Sequence, residues 1–178
     1  MGPTILDNVV IVLDEPKDVV NVAGVIRVMK NMGLSKLRLV NPDEFDIRRI
    51  GGIAHRCEDL AESGELFSTL REALHDTVFT VGTTARARTA QRNYVRPRAI
   101  APGIVAKASE GPVAVVFGRE DRGLSNEALD MCHAIAIVPA VTDFPSLNLA
   151  QACLALCYEI YLAASDEAPL PKGKRDVG

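Results

Sequence analysis

Short apolar runs, rich in β-branched side chains, recur along the chain between longer segments of mixed polarity. Runs of this length and composition are typical of strands that are buried on both faces of a sheet. They predict strands at residues 8–13, 36–40, 78–82, 113–117 and 134–138, with a shorter strand at 65–67.

Helical periodicity and capping signals occupy the intervals between these runs. Val22 and Ile26 fall on one helix face ahead of Gly33, which suits a helix stop. A capping box at 69–72 and Pro102 mark two further helix starts. The predicted helices are 19–32, 47–61, 69–75, 102–109, 125–132 and 147–164. Because strands and helices alternate, we predict an α/β fold with a mostly parallel sheet flanked by helices.

Length and composition limit the class of protein. The 178 residues fit one domain, which we place at 1–164, and the proline-containing tail at 165–178 is expected to be disordered. The chain carries no secretory signal and no apolar segment near the ~20 residues that span a bilayer, so we expect a soluble cytoplasmic protein without membrane partners. Its four cysteines lack a framework spacing, which favours free thiols, and no paired Cys or His motif supports a metal.

The stretch 112–132 is the strongest candidate for a ligand site. An apolar strand stops at Gly118, and four charged residues, REDR, follow at once before Gly123. Ser125 can then cap a helix. Ligands of open α/β sheets bind where strands end in this way, because backbone can approach closely and charge is placed there. The alternative interpretation is an ordinary solvated turn.

A second candidate stretch is basic. Thr83 and Thr84 follow a predicted strand directly, and residues 86–98 then contain five arginines and no acid, with Tyr94 among them. Arginine binds phosphate through two parallel hydrogen bonds, and an aromatic ring can stack on a base. The net charge of −3 gives no general attraction to nucleic acid, so such a local patch would have to supply it. A plain solvated loop is the alternative.

Polar residues also interrupt two apolar helices. Arg27 lies on a helical stripe of core residues, where a charge is costly unless it is paired, used at a site, or able to reach solvent from the edge of the stripe. Ser146 and Asn148 begin the most apolar helix, where they can cap it or leave free N–H groups to a ligand. The turn before Arg27 lacks the G-x-G-x-x-G pattern, so a dinucleotide site has no support.

Taken together, four stretches resemble the SPOUT class of RNA methyltransferases. They are Asn21 with Arg27, VFGREDRGLSNE at 116–127, SLNLAQA at 146–152 after Val138-Pro139, and VGTTARAR at 81–88. Within that class the chain is most similar to the TrmH-type ribose 2′-O-methyltransferases of the TrmJ tRNA group. The resemblance covers residues 8–164.

The resemblance implies a fold, a cofactor and an assembly. The fold is the SPOUT α/β knot, whose C-terminal part forms a trefoil knot, and the assembly is a homodimer that binds S-adenosylmethionine without a metal. The implied cofactor residues are Thr83, Thr84, Ala85, Gly118, Glu120, Val138, Ser146 and Leu147. The implied catalytic residues are Arg27, Asn21, Glu120, Ser146 and Asn148. The implied RNA contacts are Arg86, Arg88, Arg92, Arg119 and Arg122.

The implied reaction is 2′-O-methylation of a ribose, in the anticodon loop of tRNA. Arg27 of one subunit would act at the ribose, beside cofactor that the other subunit holds. Because a guanidinium keeps its proton, we expect Arg27 to stabilise the developing alkoxide rather than to act as a base. Glu120 is expected to fix a neighbouring arginine or Asn21, and Asn148 to orient groups through its amide.

Two departures from the family pattern accompany this likeness. The first motif usually has glycine two residues after asparagine, whereas Ala23 stands here and Gly24 follows. Proteins of the TrmJ group usually continue into a helical C-terminal extension, and because this chain ends at Gly178 we expect reduced tRNA affinity. Two other functions stay open: the same chemistry on ribosomal RNA, and RNA binding without catalysis. The intact Arg27, Glu120, Ser146 and Asn148 argue against the latter, and the sequence does not give the target nucleotide.

Overall fold

Seven strands form one sheet in this computed structural model, which describes residues 4–87, 91–141 and 147–165. Every neighbouring pair of strands is parallel, and the order across the sheet is β3-β2-β1-β6-β4-β7-β5. The strands are β1 (Val9–Asp14), β2 (Lys36–Val40), β3 (Glu65–Phe67), β4 (Phe79–Thr84), β5 (Tyr94–Val95), β6 (Val113–Phe117) and β7 (Ala134–Ile137).

Helices cover both faces of this sheet. One face packs against α1, α2, α3, α5 and α7, and the other packs against α4 and α6. A short 3₁₀ helix, Ile5–Asn8, precedes β1. The helices are α1 (Val19–Asn31), α2 (Ile47–Ile53), α3 (Glu58–Glu62), α4 (Leu70–Ala73), α5 (Pro97–Ala108), α6 (Asn126–Asp130) and α7 (Leu149–Ser165). The mostly parallel α/β fold predicted from the sequence is therefore confirmed.

The apolar character of the central strands follows from this layering. In β1, Val9, Ile11 and Leu13 point toward α1, α5 and α7, whereas Val10 and Val12 point toward α4 and α6. The side chains of β6 divide in the same way. Because both faces are covered, these strands are apolar at successive positions rather than at alternate ones.

The helix α7 crosses α1 at a point of close approach. A Cβ built on Gly24 would lie 3.0 Å from the Cβ of Ala150, so the glycine lets the two helices meet. Ala23, which stands where the family pattern usually has glycine, is fully buried in the core. The glycine that stands one position later than in the family pattern, Gly24, therefore packs directly against Ala150 of α7.

Local signals explain most helix boundaries. The Asp18 side chain accepts a hydrogen bond from the Val20 amide at 2.8 Å and caps α1, and Gly33 follows the helix with φ +73°. Thr69 accepts from the Glu72 amide and caps α4, as the capping box predicted. Ser125 caps α6 through the Ala128 amide, also as predicted. The strands predicted at 36–40, 65–67 and 113–117 have the predicted bounds.

Two helix predictions were wrong. Residues 47–61 form two helices rather than one, because the chain turns at Ala54 and Arg56 has φ +64°, which no α-helix accommodates. The helix predicted to begin at Pro102 begins at Pro97, which takes the first helical position. Pro102 then lies inside α5 on its exposed face, where water can satisfy the carbonyl of Arg98 that loses its donor.

The segment predicted as irregular, 83–98, is also more ordered than expected. Strand β4 continues to Thr84, and Tyr94–Val95 pairs with β7 as the edge strand β5. The first residue of the predicted tail, Ser165, ends α7, and the rest of the tail lies outside the described residues. Among the described helices, none combines the length and apolar character that crossing a membrane requires.

Candidate functional site

A cavity of about 490 Å³ opens at the carboxyl ends of three adjacent strands, β6, β4 and β7. Four stretches of chain line it: residues 83–86 at the end of β4, 117–123 at the end of β6, Val138 after β7, and Leu147, Leu149 and Ala152 at the start of α7. This edge of a parallel sheet is where ligands of α/β proteins bind, because strand ends and helix starts converge there.

The turn after β6, residues 118–123, is called the β6 loop below. A Cβ built on Gly118 would lie 2.2 Å from the carbonyl carbon of Gly123 and 2.3 Å from the Leu124 nitrogen. Arg119 and Gly123 close the loop as an antiparallel bridge, in which the Gly123 amide donates to the Arg119 carbonyl at 2.8 Å. Gly123 itself has φ +69°. Both glycines are therefore required by the backbone path, as the sequence predicted.

Charged side chains tie the β6 loop to the start of α1. The Glu120 carboxylate accepts hydrogen bonds from the amide of Lys17 at 3.1 Å and from that of Asp18 at 3.4 Å. Asp121 pairs with Arg119 within the loop and with Lys17 outside it. The Arg119 hydrogen bond holds the pKa of Asp121 below its ordinary value. We expected Glu120 to fix an arginine or Asn21, whereas its partners here are backbone amides near the positive end of α1.

The β4 end of the cavity is fixed by hydroxyl groups. The Thr83 hydroxyl donates to the Val116 carbonyl at 2.9 Å, which joins β4 to β6 below the cavity. The Thr84 hydroxyl donates to the Arg86 carbonyl at 3.1 Å and bends the chain after the strand. The threonine side chains thus hold the turn, and residues 83–86 all line the cavity.

At the start of α7, Asn148 has a capping role. Its side-chain oxygen accepts from the Gln151 amide at 2.8 Å, and the Gln151 side chain accepts from the Asn148 amide at 3.1 Å. This reciprocal pair is a capping arrangement of the kind that satisfies free helix N–H groups. Ser146, the other candidate cap, lies outside the described residues, as does Arg88.

The predicted cofactor residues lie together around one cavity. Among those that the structure describes, Thr83, Thr84, Ala85, Gly118, Glu120, Val138 and Leu147 all line it. Of the predicted RNA contacts, Arg86, Arg119 and Arg122 line it as well. Arg92 instead lies 2.6 Å from Asp130 with its side chain only 16% exposed, so it anchors the loop after β4 to α6.

Asn21 and Arg27 lie apart from this group. Both are on α1, with Asn21 half-buried in the first turn and Arg27 exposed to solvent. Within the part of the chain described, neither lines the cavity. A single chain therefore does not bring together all the residues that the sequence singled out.

Sequence reasoning passed over Asp14 and Glu15. Asp14 is the last residue of β1 and Glu15 follows it, and both border a second cavity, of about 350 Å³, on the β6 loop. Burial, reinforced by the neighbouring Glu15 charge, raises the pKa of Asp14 from 3.8 to about 6. The sequence did contain a signal for this position, because Asp14 is an acidic residue at the end of an otherwise apolar strand. The four cysteines are free, as expected, and burial raises the pKa of the Cys132 thiol to about 12.

The parallel sheet, the cavity at its carboxyl edge and the glycine-bent charged loop define an α/β protein with a built site for a polar small molecule. The chain belongs to the SpoU rRNA Methylase family, which it matches over residues 8–158. The family-level resemblance recognised in the sequence is thereby confirmed.

Relatives of known name support this assignment. The chain is 40% identical over 153 residues to the uncharacterized tRNA/rRNA methyltransferase LasT of Escherichia coli K12, covering 85% of this chain and 67% of that protein. It is 40% identical over 161 residues to the tRNA (cytidine/uridine-2′-O-)-methyltransferase TrmJ of Pectobacterium atrosepticum, covering 90% of this chain and 67% of that protein. The chain thus spans about two thirds of the length of these relatives.

Solved structures agree with the sequence relatives. A probable methylase family protein from Haemophilus influenzae superposes with a TM-score of 0.85 at 35% identity, covering 94% of this chain and 72% of that one. TrmJ from Z. mobilis superposes with a TM-score of 0.78 at 31% identity, covering 85% of this chain and 67% of that one. The fold and the family assignment therefore rest on independent comparisons.

Proposed function

We propose that this protein transfers a methyl group from S-adenosylmethionine to the 2′-hydroxyl of a tRNA ribose. The observation that carries the proposal is the convergence of residues 83–86, residues 117–123, Val138 and the start of α7 on one cavity. Relatives named tRNA (cytidine/uridine-2′-O-)-methyltransferase are 39–40% identical to this chain over the aligned residues, which supports the substrate.

The cavity's lining fits this cofactor in its chemistry. Phe117, Val138 and Leu149 offer an apolar surface for an adenine ring, and the backbone at Thr84–Ala85 and Gly118 offers hydrogen-bonding groups to its edges. Glu120 and Asp121 favour a positively charged sulfonium and ammonium. When bound, S-adenosylmethionine supplies an electrophilic methyl group, so no metal is needed.

Arg27 would act on the ribose. A ribose 2′-hydroxyl that gives up its proton to solvent develops negative charge, which the guanidinium would stabilise by charge-assisted hydrogen bonds. Asn21 on the same helix, and Asn148 at the start of α7, would orient the sugar through their amides. Arg86, Arg119 and Arg122 would hold the RNA phosphates at the mouth of the cavity.

Because Arg27 lies away from the cavity of its own chain, we propose a homodimer in which it serves the partner's cavity. Leu154, Tyr158 and Leu162 form an exposed apolar stripe at i, i+4 and i+8 on α7, which supports a partner surface there. Gly24 meets Ala150 at the crossing of α1 and α7. Arg27 is three residues beyond Gly24 on the same side of α1, so it would lie within that interface.

The proposal extends to the chain path as well. We infer that the C-terminal part is threaded as a trefoil knot, as in the SPOUT class. The support is the match to the SpoU family over residues 8–158, in a chain whose β4, β6 and β7 ends and α7 start surround one cavity.

The test is transfer of labelled methyl groups from S-adenosylmethionine to tRNA and to ribosomal RNA, followed by mapping of the modified position. We expect label on a ribose of tRNA. The family description and the name of LasT favour ribosomal RNA as the second candidate, so preferential labelling there would identify that substrate instead. Label on a base, or no cofactor binding by calorimetry, would refute the proposal.

An arginine variant tests the chemical step separately. Arg27→Lys keeps the positive charge but loses the planar guanidinium with its parallel N–H donors. We expect kcat to fall roughly 100-fold while the cofactor Kd is unchanged. Arg48→Lys, at an exposed position on α2, is the matched control and should retain full turnover. Full turnover of Arg27→Lys would exclude a need for the guanidinium.

A further inference from the structure

The second cavity adjoins the first along the β6 loop. Arg119, Arg122 and Gly123 line both cavities, so a ligand that spans the loop would touch the two together. The remaining lining of the second cavity is Asp14 and Glu15 at the end of β1, Leu124, and Ser125 with Asn126 at the start of α6. The proposed methyl-transfer site does not use this second cavity.

The size and polarity of this cavity suit one small polar ring. Its volume of about 350 Å³ lies at the lower end of the range of roughly 300–1,000 Å³ for small-molecule sites. Carboxylate, hydroxyl, amide and guanidinium groups line it together. Such a mixture can satisfy the hydrogen-bonding edge of a nucleobase, which presents donors and acceptors side by side.

Asp14 is the distinctive group in this lining. It is half-buried at the end of β1, and beside it the Glu15 amide is fixed by a 2.8 Å hydrogen bond to the Val40 carbonyl. Burial works against its charge and raises its pKa to about 6. Partly buried charged groups in a cleft are frequent at functional sites. Their desolvation costs stability, so a role in binding or catalysis is the usual reason for their presence.

We propose that the second cavity receives the base of the nucleotide whose ribose is methylated, with Asp14 accepting a hydrogen bond from the exocyclic amine of cytosine. This inference rests on the methyl-transfer function proposed above. A ribose at the β6 loop would then lie between the donor in the first cavity and its own base in the second. Arg119 and Arg122, which border both, would hold the flanking phosphates.

The carboxylate makes this site selective. A carboxylate accepts from the N4 amine of cytosine, whereas uracil presents the O4 acceptor at the same place, which the carboxylate repels. The side-chain amide of Asn126 can donate to the O2 of either pyrimidine. Cytidine is therefore preferred over uridine, and the preference depends on Asp14.

The test compares two tRNA transcripts that differ only at the methylated position, cytidine in one and uridine in the other. We expect the ratio of kcat/KM for cytidine over uridine to fall about tenfold in Asp14→Asn, because an amide accepts and donates at that place. Asp43→Asn is the matched control: it removes an exposed acidic charge near Arg119 that lines neither cavity, and it should leave the ratio unchanged. An unchanged ratio in Asp14→Asn, or a wild-type preference for uridine, would overturn the proposal.

A binding measurement separates this inference from the proposed function. Cytidine and uridine 5′-monophosphates are titrated into the full chain and followed by NMR. We expect the cytidine nucleotide to bind more tightly than the uridine nucleotide, and Asp14→Asn to remove the difference. If no RNA is methylated, the methyl-transfer function fails and this titration alone decides the subsite. Equal binding of the two nucleotides to the wild-type chain would then refute it.

Discussion

At the scale of single residues, Asp14 shows how a site departs from what stability favours. Its neighbours on β1, Val9 to Leu13, are apolar and buried, and a carboxylate in the next position opposes their packing. The raised pKa expresses this conflict. A folded-state pKa above the unfolded value means that the folded chain binds the proton more tightly, so this group's contribution to stability falls as pH rises from about 4 to about 6.

Replacing Asp14 by Asn should therefore stabilise the protein at neutral pH. We expect a gain on the order of 1 kcal/mol at pH 7.5, after allowance for the partial exposure of the group, because the amide carries no charge to desolvate. At pH 4 the gain should be smaller, since the carboxyl is then protonated in the folded state. Urea unfolding at the two pH values measures both. A destabilised Asp14→Asn at pH 7.5 would contradict this account.

Gly118 shows the opposite case, a residue that the site requires for its lack of a side chain. In Gly118→Ala the new Cβ would collide with backbone atoms of Gly123 and Leu124, so the β6 loop must move. We expect the Kd for S-adenosylmethionine, measured by calorimetry, to rise roughly tenfold or more, about 1.4 kcal/mol.

Gly52→Ala is the matched control for Gly118→Ala. Gly52 is exposed on α2, and a Cβ built on it meets nothing within 4 Å. This variant should bind cofactor as the wild type does and gain a little helix stability. Equal affinities of the two alanine variants would mean that the β6 loop has room to adapt.

At the scale of elements, Arg38 links β2 to α4. It is 7% exposed and donates to the Ala73 carbonyl at 2.8 Å. It also forms a bidentate ion pair with Asp76, with N–O distances of 2.7 and 2.9 Å. This hydrogen bonding lowers the pKa of Asp76. A lowered folded-state pKa means that the stabilisation is present at neutral pH and is lost as pH falls through the folded-state value.

Asp76→Asn should destabilise the fold by about 1 kcal/mol at pH 7, because it leaves the buried guanidinium with Glu65, 3.6 Å from its Nε, as its remaining counter-charge. The difference from wild type should shrink at acidic pH, where the wild-type carboxyl is protonated. Thermal unfolding at several pH values measures this. Asp59→Asn is the control, since the Asp59 partner, Lys30, is at the surface, and little change is expected. Equal effects of the two substitutions would contradict the role of burial.

Elements whose signals are local were predictable, and those set by distant contacts were not. The bounds of β2, β3 and β6, and the caps of α4 and α6, follow from patterns within a few residues. In contrast, β5 is a strand because Tyr94 and Val95 pair with Ile135 and Ala136 of β7. The two-helix form of 47–61 and the helical Pro102 likewise depend on how the chain lies on its surroundings.

At the scale of the whole molecule, the sequence motifs predicted which stretches meet at one cavity, and only the family resemblance implied that Arg27 lies apart from it in the same chain. Seven predicted cofactor residues line one cavity, because strand ends of a parallel sheet share an edge. No local pattern could show that Arg27 faces solvent, or that Arg92 pairs with Asp130 from 38 residues away. The second cavity was equally hidden, since β1 and the β6 loop are far apart in sequence.

The proposed sharing of sites predicts complementation between defective chains. Arg27→Ala lacks the arginine proposed to act on the ribose, and Gly118→Ala binds cofactor weakly, so each alone should have low activity when the cofactor concentration is near the wild-type Kd. Co-expressed in equal amounts, half of the dimers are mixed and each mixed dimer has one intact site, which gives about a quarter of wild-type activity. The methyl-transfer assay on the co-purified sample measures this. Activity no greater than that of the separate variants would mean that Arg27 serves its own chain.

The pairing of β1 with β6 has a consequence for biosynthesis. Val9 through Leu13 pair with Val113 through Phe117, so the middle of the sheet cannot close until the later segment has left the ribosome. Until then the nascent chain displays an apolar strand edge without its partner strand. Chaperones bind such surfaces during synthesis. Ribosome-bound chains halted before residue 113 should therefore stay protease-sensitive, and protection should appear only once β6 has emerged.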